Sequence, residues 1–219
     1  MENERAPQAV RTKAFTSAMR LEPLILASAS PRRAEILRAV GWPFETMAAN
    51  VDESIKPQES VSEYVQRLAR AKAESVIALA PHRTELVLGA DTVVTVEGEV
   101  FGKPRDADDA RRMLKRLNNR WHEVLTGVAL VRAVDKRCAV AYEQTRVRFA
   151  AMSDAEIDWY VGTGEPADKA GAYAVQGRAA LFIKKIEGDY WNVVGLPVRL
   201  VYELARDFWT NAKEEKGRF

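Results

Sequence analysis

The run L-V-L-G-A-D-T-V-V-T-V, Leu86 to Val96, constrains this chain more than any other stretch. It is apolar almost throughout and reads as a buried strand. Strand and helix patterns alternate on both sides of it, which implies an α/β protein. Before it, L-I-L-A is a short buried strand, and Pro31 suits the first turn of a helix through Ile36, Leu37 and Val40 that stops at Gly41. P-F-E-T-M-A-A-N reads as a second strand running into the acidic loop V-D-E-S. Ser60 and Glu63 are spaced as a capping box, and Val61, Tyr64, Val65 and Leu68 form one stripe of the helix that follows.

After the central strand, E-G-E reads as a hairpin turn and Asp106 as the cap of a helix through Met113, Leu114 and Leu117. Val124–Val134 and Ala139–Phe149 read as strands paired around A-V-D-K. Ser153 opens a helix through Ile157, Trp159 and Tyr160; a Gly-rich loop, a strand A-L-F-I-K-K-I and a helix opened by Pro197 complete the order. Residues 21–208 are expected to form one compact domain, with the part after Ser153 as a second lobe. Residues 1–20 are polar and non-periodic and read as a flexible extension, and 209–219 as a charged, frayed tail.

Composition narrows the function. The 33 basic and 31 acidic residues leave a net charge of +2, which gives no reason to expect a nucleic-acid polymer as partner. No apolar run approaches the ~20 residues of a membrane span, and the first residues lack the apolar core of a secretory signal. Cys138 is the only cysteine, so no intrachain disulfide is possible, which suits a reducing compartment. Within R-C-A-V-A-Y it reads as a half-buried strand thiol. Two histidines and one cysteine nearly exclude a zinc cage.

Against that background, a few polar groups stand where bulk chemistry disfavours them. Asp91 lies among apolar neighbours, and a carboxylate there needs a cation, a metal or a set of donors. Lys72 falls on the apolar stripe of its helix, where it is either compensated by an anion or snorkels at the stripe's edge. S-A-S-P-R-R, Ser28 to Arg33, joins a strand to a helix. Such a turn offers backbone N–H groups and the positive end of a helix dipole, and arginine matches phosphate with paired donors. Ser28, Ser30, Arg32 and Arg33 therefore read as a phosphate site, with a capping Ser30 and solvated arginines as the alternative. Lys103 in G-K-P adds a cation, and Asp52 and Glu53 add carboxylates. Hard divalent cations take oxygen ligands and bridge carboxylates to phosphates. In D-K-A-G-A-Y-A-V-Q-G, Gln176 carries the donor and acceptor that can read a base edge, or is simply solvated.

S-A-S-P-R-R, A-D-T-V-V, G-K-P, T-G-V, D-K-A-G-A-Y-A-V-Q-G and E-G-D-Y-W-N-V-V-G-L-P, in that order, resemble the Maf family of septum-formation-inhibitor-like nucleoside triphosphate pyrophosphatases. The resemblance spans about Leu24 to Arg206. It implies an α/β fold with a mixed twisted sheet, flanking helices and two lobes around a substrate cleft, as a cytoplasmic homodimer. It implies hydrolysis of a nucleoside triphosphate between the α- and β-phosphates with Mg²⁺ or Mn²⁺. Asp91 matches the proton acceptor and Glu53 an acidic position associated with metal and catalysis, the two together being the metal-binding carboxylates. Ser28, Arg32, Arg33, Lys72 and Lys103 match phosphate-contacting positions, Lys103 also serving catalysis, with Ser30 beside them. Arg32, Thr92 and Gln176 match positions that tune base choice, and place the chain in the dTTP/UTP branch. The physiological role is left between cleansing the nucleotide pool and restraining division. Two other readings stay open: hydrolysis of 7-methyl-GTP or another modified nucleotide, and a non-catalytic nucleotide-binding regulator of septation. The chain departs from the family pattern in the length that precedes the first strand and in Trp191, an indole that would alter base preference if it lined the cleft.

Overall fold

The computed structural model describes residues 21–216, with side chains described as far as Trp209. The expectation for residues 1–20 lies outside the described residues. The strands in chain order are β1 (Leu24–Ala27), β2 (Phe44–Thr46), β3 (Leu86–Val96), β4 (Glu99–Phe101), β5 (Trp121–Arg132), β6 (Cys138–Phe149) and β7 (Ile183–Glu187). The helices are α1 (Pro31–Ala39), α2 (Val61–Leu79), α3 (Ala107–Leu117), α4 (Asp154–Gly162), α5 (Tyr190–Val194) and α6 (Val198–Lys216). A single seven-stranded sheet runs β2-β1-β3-β5-β6-β7, with β4 paired to β3. β1 is parallel to β2 and β3, whereas the other pairings are antiparallel. The α/β class with a mixed sheet is therefore as the sequence implied.

Local chemistry explains the element boundaries. Ser60 and Ser153 each accept from the backbone N–H three residues on, and Glu63 and Glu156 return the bond, so α2 and α4 both start in capping boxes. Asp106 accepts from the Asp109 N–H at the start of α3. Glu97 and Gly98 both take positive φ, 51° and 83°, the pairing a two-residue hairpin between β3 and β4 requires. β2 is shorter than expected, with Phe44, Glu45 and Thr46 the residues that pair with β1. The strand expected over Ala180–Ile186 begins only at Ile183. Arg178–Leu181 instead forms a 3₁₀ turn, closed by Phe182 N–H donating to Ala179 O. Cys138 opens β6 and is exposed, not half-buried, because it follows directly on the turn. α6 runs on into the segment the sequence sets apart as a tail.

The main core lies on one face of the sheet, where Leu26, Leu88, Ala90, Val94 and Val128 meet α1, α3, α4 and α6 through Leu37, Leu114, Ile157 and Val201. α2 covers the other face, burying Val65, Leu68, Ala69, Ala73 and Val76. Two glycines set the distance between helix and sheet. A Cβ on Gly89 of β3 would stand 1.9 Å from Ala69 O, and one on Gly127 of β5 would stand 2.2 Å from Val65 O. Both obstacles are helix backbone, which cannot step aside as a side chain can. Gly89→Ala is therefore expected to lower stability by about 3 kcal/mol. Urea unfolding measures this; a loss below 1 kcal/mol would mean that α2 does not sit this close. Among the described residues, no helix is long and apolar enough to cross a membrane.

Candidate active site

The close seat of α2 has a chemical consequence. Asp91 follows Gly89 by two residues, so both project to the α2 face of β3. Lys72 stands between Ala69 and Ala73 on the buried side of α2, and its Nζ lies 2.6 Å from Asp91 Oδ1. The same ammonium lies 2.7 Å from Glu53 Oε1. The Glu53 loop is held by the Tyr64 hydroxyl, which donates to Glu53 O at 2.8 Å. Lys72 is thus compensated by two carboxylates rather than snorkelling. Asp91 is 8% exposed, and burial raises its pKa above the ordinary carboxylate value. Lys72 and then Arg33 pull it back, while the nearby Glu53 adds to the rise.

The β1–α1 turn forms the adjoining wall. Ser28 is buried, and its Oγ accepts from the Ser30 N–H at 3.2 Å and from Arg33 Nη1 at 3.1 Å. Ser30 occupies the N-cap position of α1, yet its hydroxyl makes no capping bond, so the capping alternative is not what the structure adopts. Arg33 turns inward. It donates to Gly195 O, Ser28 Oγ, Ala90 O and Thr92 Oγ1 at 2.8–3.1 Å, which uses most of its donors. Burial lowers its pKa, with Asp91 opposing. Thr92 Oγ1 also lies 2.9 Å from Thr126 Oγ1, directly across the β3–β5 register. Arg33 therefore ties β1, β3 and the end of α5 together beneath the cleft.

Arg32 points into the cleft but is already engaged. Its Nη1 donates to Asp168 Oδ2 at 2.8 Å and its Nη2 to Asp168 O at 3.0 Å. Lys169 pairs with the other oxygen of the same carboxylate. Burial would raise Asp168, but the bonds from Lys169 and Arg32 outweigh it and hold its pKa at about 2. Asp168 and Lys169 lie within the D-K-A-G segment, yet their residue types alone gave no signal of a role. Lys103 enters from beyond the β3–β4 hairpin, where Gly102 O accepts from the Gly171 N–H at 3.0 Å. Gln176 lines the cleft from the facing segment.

These groups surround one cleft of about 720 Å³, large enough for a nucleotide. Of the residues singled out by sequence, Ser28, Ser30, Arg32, Arg33, Glu53, Lys72, Asp91, Thr92, Lys103 and Gln176 all line it. Asp52 does not; its carboxylate is turned to the Ser54 N–H and hydroxyl. Trp191 is also outside the lining and rests edge-on against Tyr190, so the altered base preference its size suggested has no basis here.

Glu53 and Asp91 are also the residues that fit a divalent cation. Both offer hard carboxylate oxygens to one point in the cleft, now met by the Lys72 ammonium. Among the described residues no group of three or more His, Cys, Asp or Glu gathers to hold a metal unaided. That donor set suits Mg²⁺ or Mn²⁺, which typically keep water and take phosphate oxygens beside one or two carboxylates.

The profile of the family described as Maf-like protein matches residues 23–208. A Symbiobacterium thermophilum protein named dTTP/UTP pyrophosphatase is 53% identical over 188 residues, which cover 86% of this chain and 95% of that protein. The dTTP/UTP pyrophosphatase of Hahella chejuensis is 48% identical over 186 residues, 84% of this chain and 92% of that protein. Among solved structures, the Staphylococcus aureus Ham1 protein aligns at 15% identity with a TM-score of 0.43, covering 74% of this chain and 91% of that one. That likeness is too loose to bear on function.

Proposed function

This chain belongs to the Maf-like protein family, and from that membership and its cleft we propose that it hydrolyses dTTP and UTP to the monophosphate and pyrophosphate. One observation carries the reading: a buried carboxylate with a raised pKa, Asp91, stands at the cleft floor within reach of Lys72 and beside Glu53. A carboxylate made more basic in this way suits proton abstraction. The names of the two relatives, each matched over most of its length, support the choice of substrate.

In this reading a water oxygen bonds to the α-phosphorus while Asp91 takes its proton. The bond from that phosphorus to the oxygen bridging to the β-phosphate breaks, and pyrophosphate leaves. Lys103, Arg32 and Lys169 line the cleft, the last two sharing the Asp168 carboxylate, and the Ser28–Pro31 turn adds hydroxyls and a helix N-terminus. Charge growing on the departing pyrophosphate is stabilised by such a preset cluster. Arg33 acts chiefly as the brace of that turn, since its bonds to Ser28, Ala90, Thr92 and Gly195 fix the floor. Glu53 and Asp91 would hold the Mg²⁺ or Mn²⁺, whose charge, when bound, polarises phosphate oxygens. The family resemblance assigns Gln176 and Thr92 to base choice, and both line the cleft. The near-balanced charge and single cysteine support a cytoplasmic enzyme with neither nucleic-acid polymer nor membrane as partner. Assembly as a homodimer rests on the family resemblance.

The test is pyrophosphate release from dTTP, UTP, CTP, the purine triphosphates and 7-methyl-GTP with Mg²⁺ or Mn²⁺ present. Selective cleavage of dTTP and UTP is expected. Cleavage of 7-methyl-GTP instead would keep the chemistry and replace the substrate, and release from none of them would leave a binding regulator.

A further inference from the structure

Gln176 is exposed at the cleft wall on a turn with no regular secondary structure, and an amide on a loose turn reads nothing. Uracil and thymine present an acceptor at O4 beside an N3–H donor, whereas cytosine presents the reverse. An amide carries both a donor and an acceptor and suits either base by turning over. Discrimination therefore requires the amide to stand at a set distance and angle to the base edge, which the backbone beneath Gln176 decides.

One carboxylate does this. Glu165 begins the 3₁₀ turn Glu165–Asp168, and its side chain is 16% exposed. Its Oε2 accepts from the Arg178 N–H at 3.0 Å, and its Oε1 from the Ala179 N–H at 3.4 Å. Oε1 also accepts from the Tyr160 hydroxyl at 2.8 Å. That hydroxyl in turn accepts from the Ala174 N–H at 3.2 Å. The backbone is thus gripped on both sides of Gln176, at 174 and at 178–179, by a single phenol–carboxylate pair. Tyr160 is fully buried, which anchors the pair in the core of α4. Gly177 leaves room for it: a Cβ there would stand 2.5 Å from Glu165 Oε1.

We propose that Glu165, supported by Tyr160, is a positioning residue for base selection, holding the 174–179 turn so that Gln176 meets the pyrimidine edge from one fixed place on the cleft wall. The proposal rests on the hydrolase reading for the role of Gln176, but the grip itself does not. Glu165→Gln keeps the shape and swaps an acceptor for an amide NH₂, which faces another donor. The expected result is that the preference for UTP over CTP, as a ratio of kcat/KM, falls about tenfold, the scale of one well-placed hydrogen bond. Gln176→Ala should lower the ratio similarly, and the double variant should lower it no further, since the two residues act as one unit.

An unchanged ratio, an equal loss of rate for both nucleotides, or additive losses would overturn the proposal. Should Glu165→Gln fail to fold, Tyr160→Phe removes only the hydroxyl and faces the same criteria. If the wild-type chain releases no pyrophosphate from any nucleotide, the hydrolase reading fails by itself. The same comparison is then made on dissociation constants for UTP and CTP, with hydrogen exchange at Arg178 and Ala179. Equal affinities in wild type, or exchange unchanged by Glu165→Gln, sinks the positioning role.

Discussion

Asp91→Asn is expected to lower kcat by about 10²- to 10⁴-fold, the range a positioned general base supplies. Nucleotide binding should persist. The substitution removes a negative charge that faces the triphosphate, and Lys72 keeps its second partner, Glu53, at 2.7 Å. Affinity for dTTP measured without added metal is therefore unchanged or improved, which separates lost chemistry from lost fold. The pH profile gives an independent check. In the proposed reaction Asp91 acts as its carboxylate, and in the metal-free protein burial sets its pKa above the ordinary value. As pH falls and the carboxylate is protonated, kcat/KM drops on the acid side. Stopped or continuous pyrophosphate assays from pH 4 to 9, with calorimetric binding of dTTP, measure both. Turnover near the wild-type level in Asp91→Asn would remove Asp91 from the reaction.

The parts of this molecule that its sequence makes legible are those governed by neighbours in the chain. The capping boxes at Ser60 and Ser153, the Asp106 cap and the Glu97–Gly98 turn each depend on residues three or fewer apart. Asp91 and Lys72 are legible one at a time, because a charge among apolar neighbours is itself a signal, but their pairing across α2 and β3 is not. It depends on Gly89 and Gly127 letting the helix backbone down onto the sheet, and a glycine in a strand does not say what it makes room for. The same limit hides the inward turn of Arg33, whose acceptors come from β3 and Gly195, and the hold of Asp168 on Arg32, 136 residues away. Ser30 is the converse case. A helix start with Pro31 and a preceding serine invites a capping reading, yet the hydroxyl makes no capping bond. A side chain that breaks a local rule is where the sequence is least able to speak for the structure.

Acid should destabilise this protein through His122 by an amount that a double substitution isolates. His122 lies in β5, 2% exposed, edge-on to the rings of Phe149 and Tyr173. Its Nε2 is 2.9 Å from the Tyr173 hydroxyl, and its Nδ1 has no hydrogen-bond partner among the described residues. Burial without a compensating anion lowers its pKa from 6.5 to about 3. Below pH 6.5 the unfolded chain takes up a proton at this position and the folded chain does not. Stability therefore rises with pH across this window. The contribution is complete above 6.5 and is lost as pH falls towards 3, at about 1.4 kcal/mol per pH unit and roughly 5 kcal/mol in all. His122→Phe alone would strand the Tyr173 hydroxyl, so His122→Phe with Tyr173→Phe is the fair comparison, leaving an apolar cluster around Phe149. Urea unfolding at pH 7, 5.5 and 4.5 should show the wild-type curve falling more steeply than that of the double variant, by a gap that widens with each step down. The carboxylates that also titrate in this range are common to both chains and cancel in the difference. Parallel curves would mean that the ring takes up its proton in the folded state, and that the cluster around it opens to water before the rest of the fold.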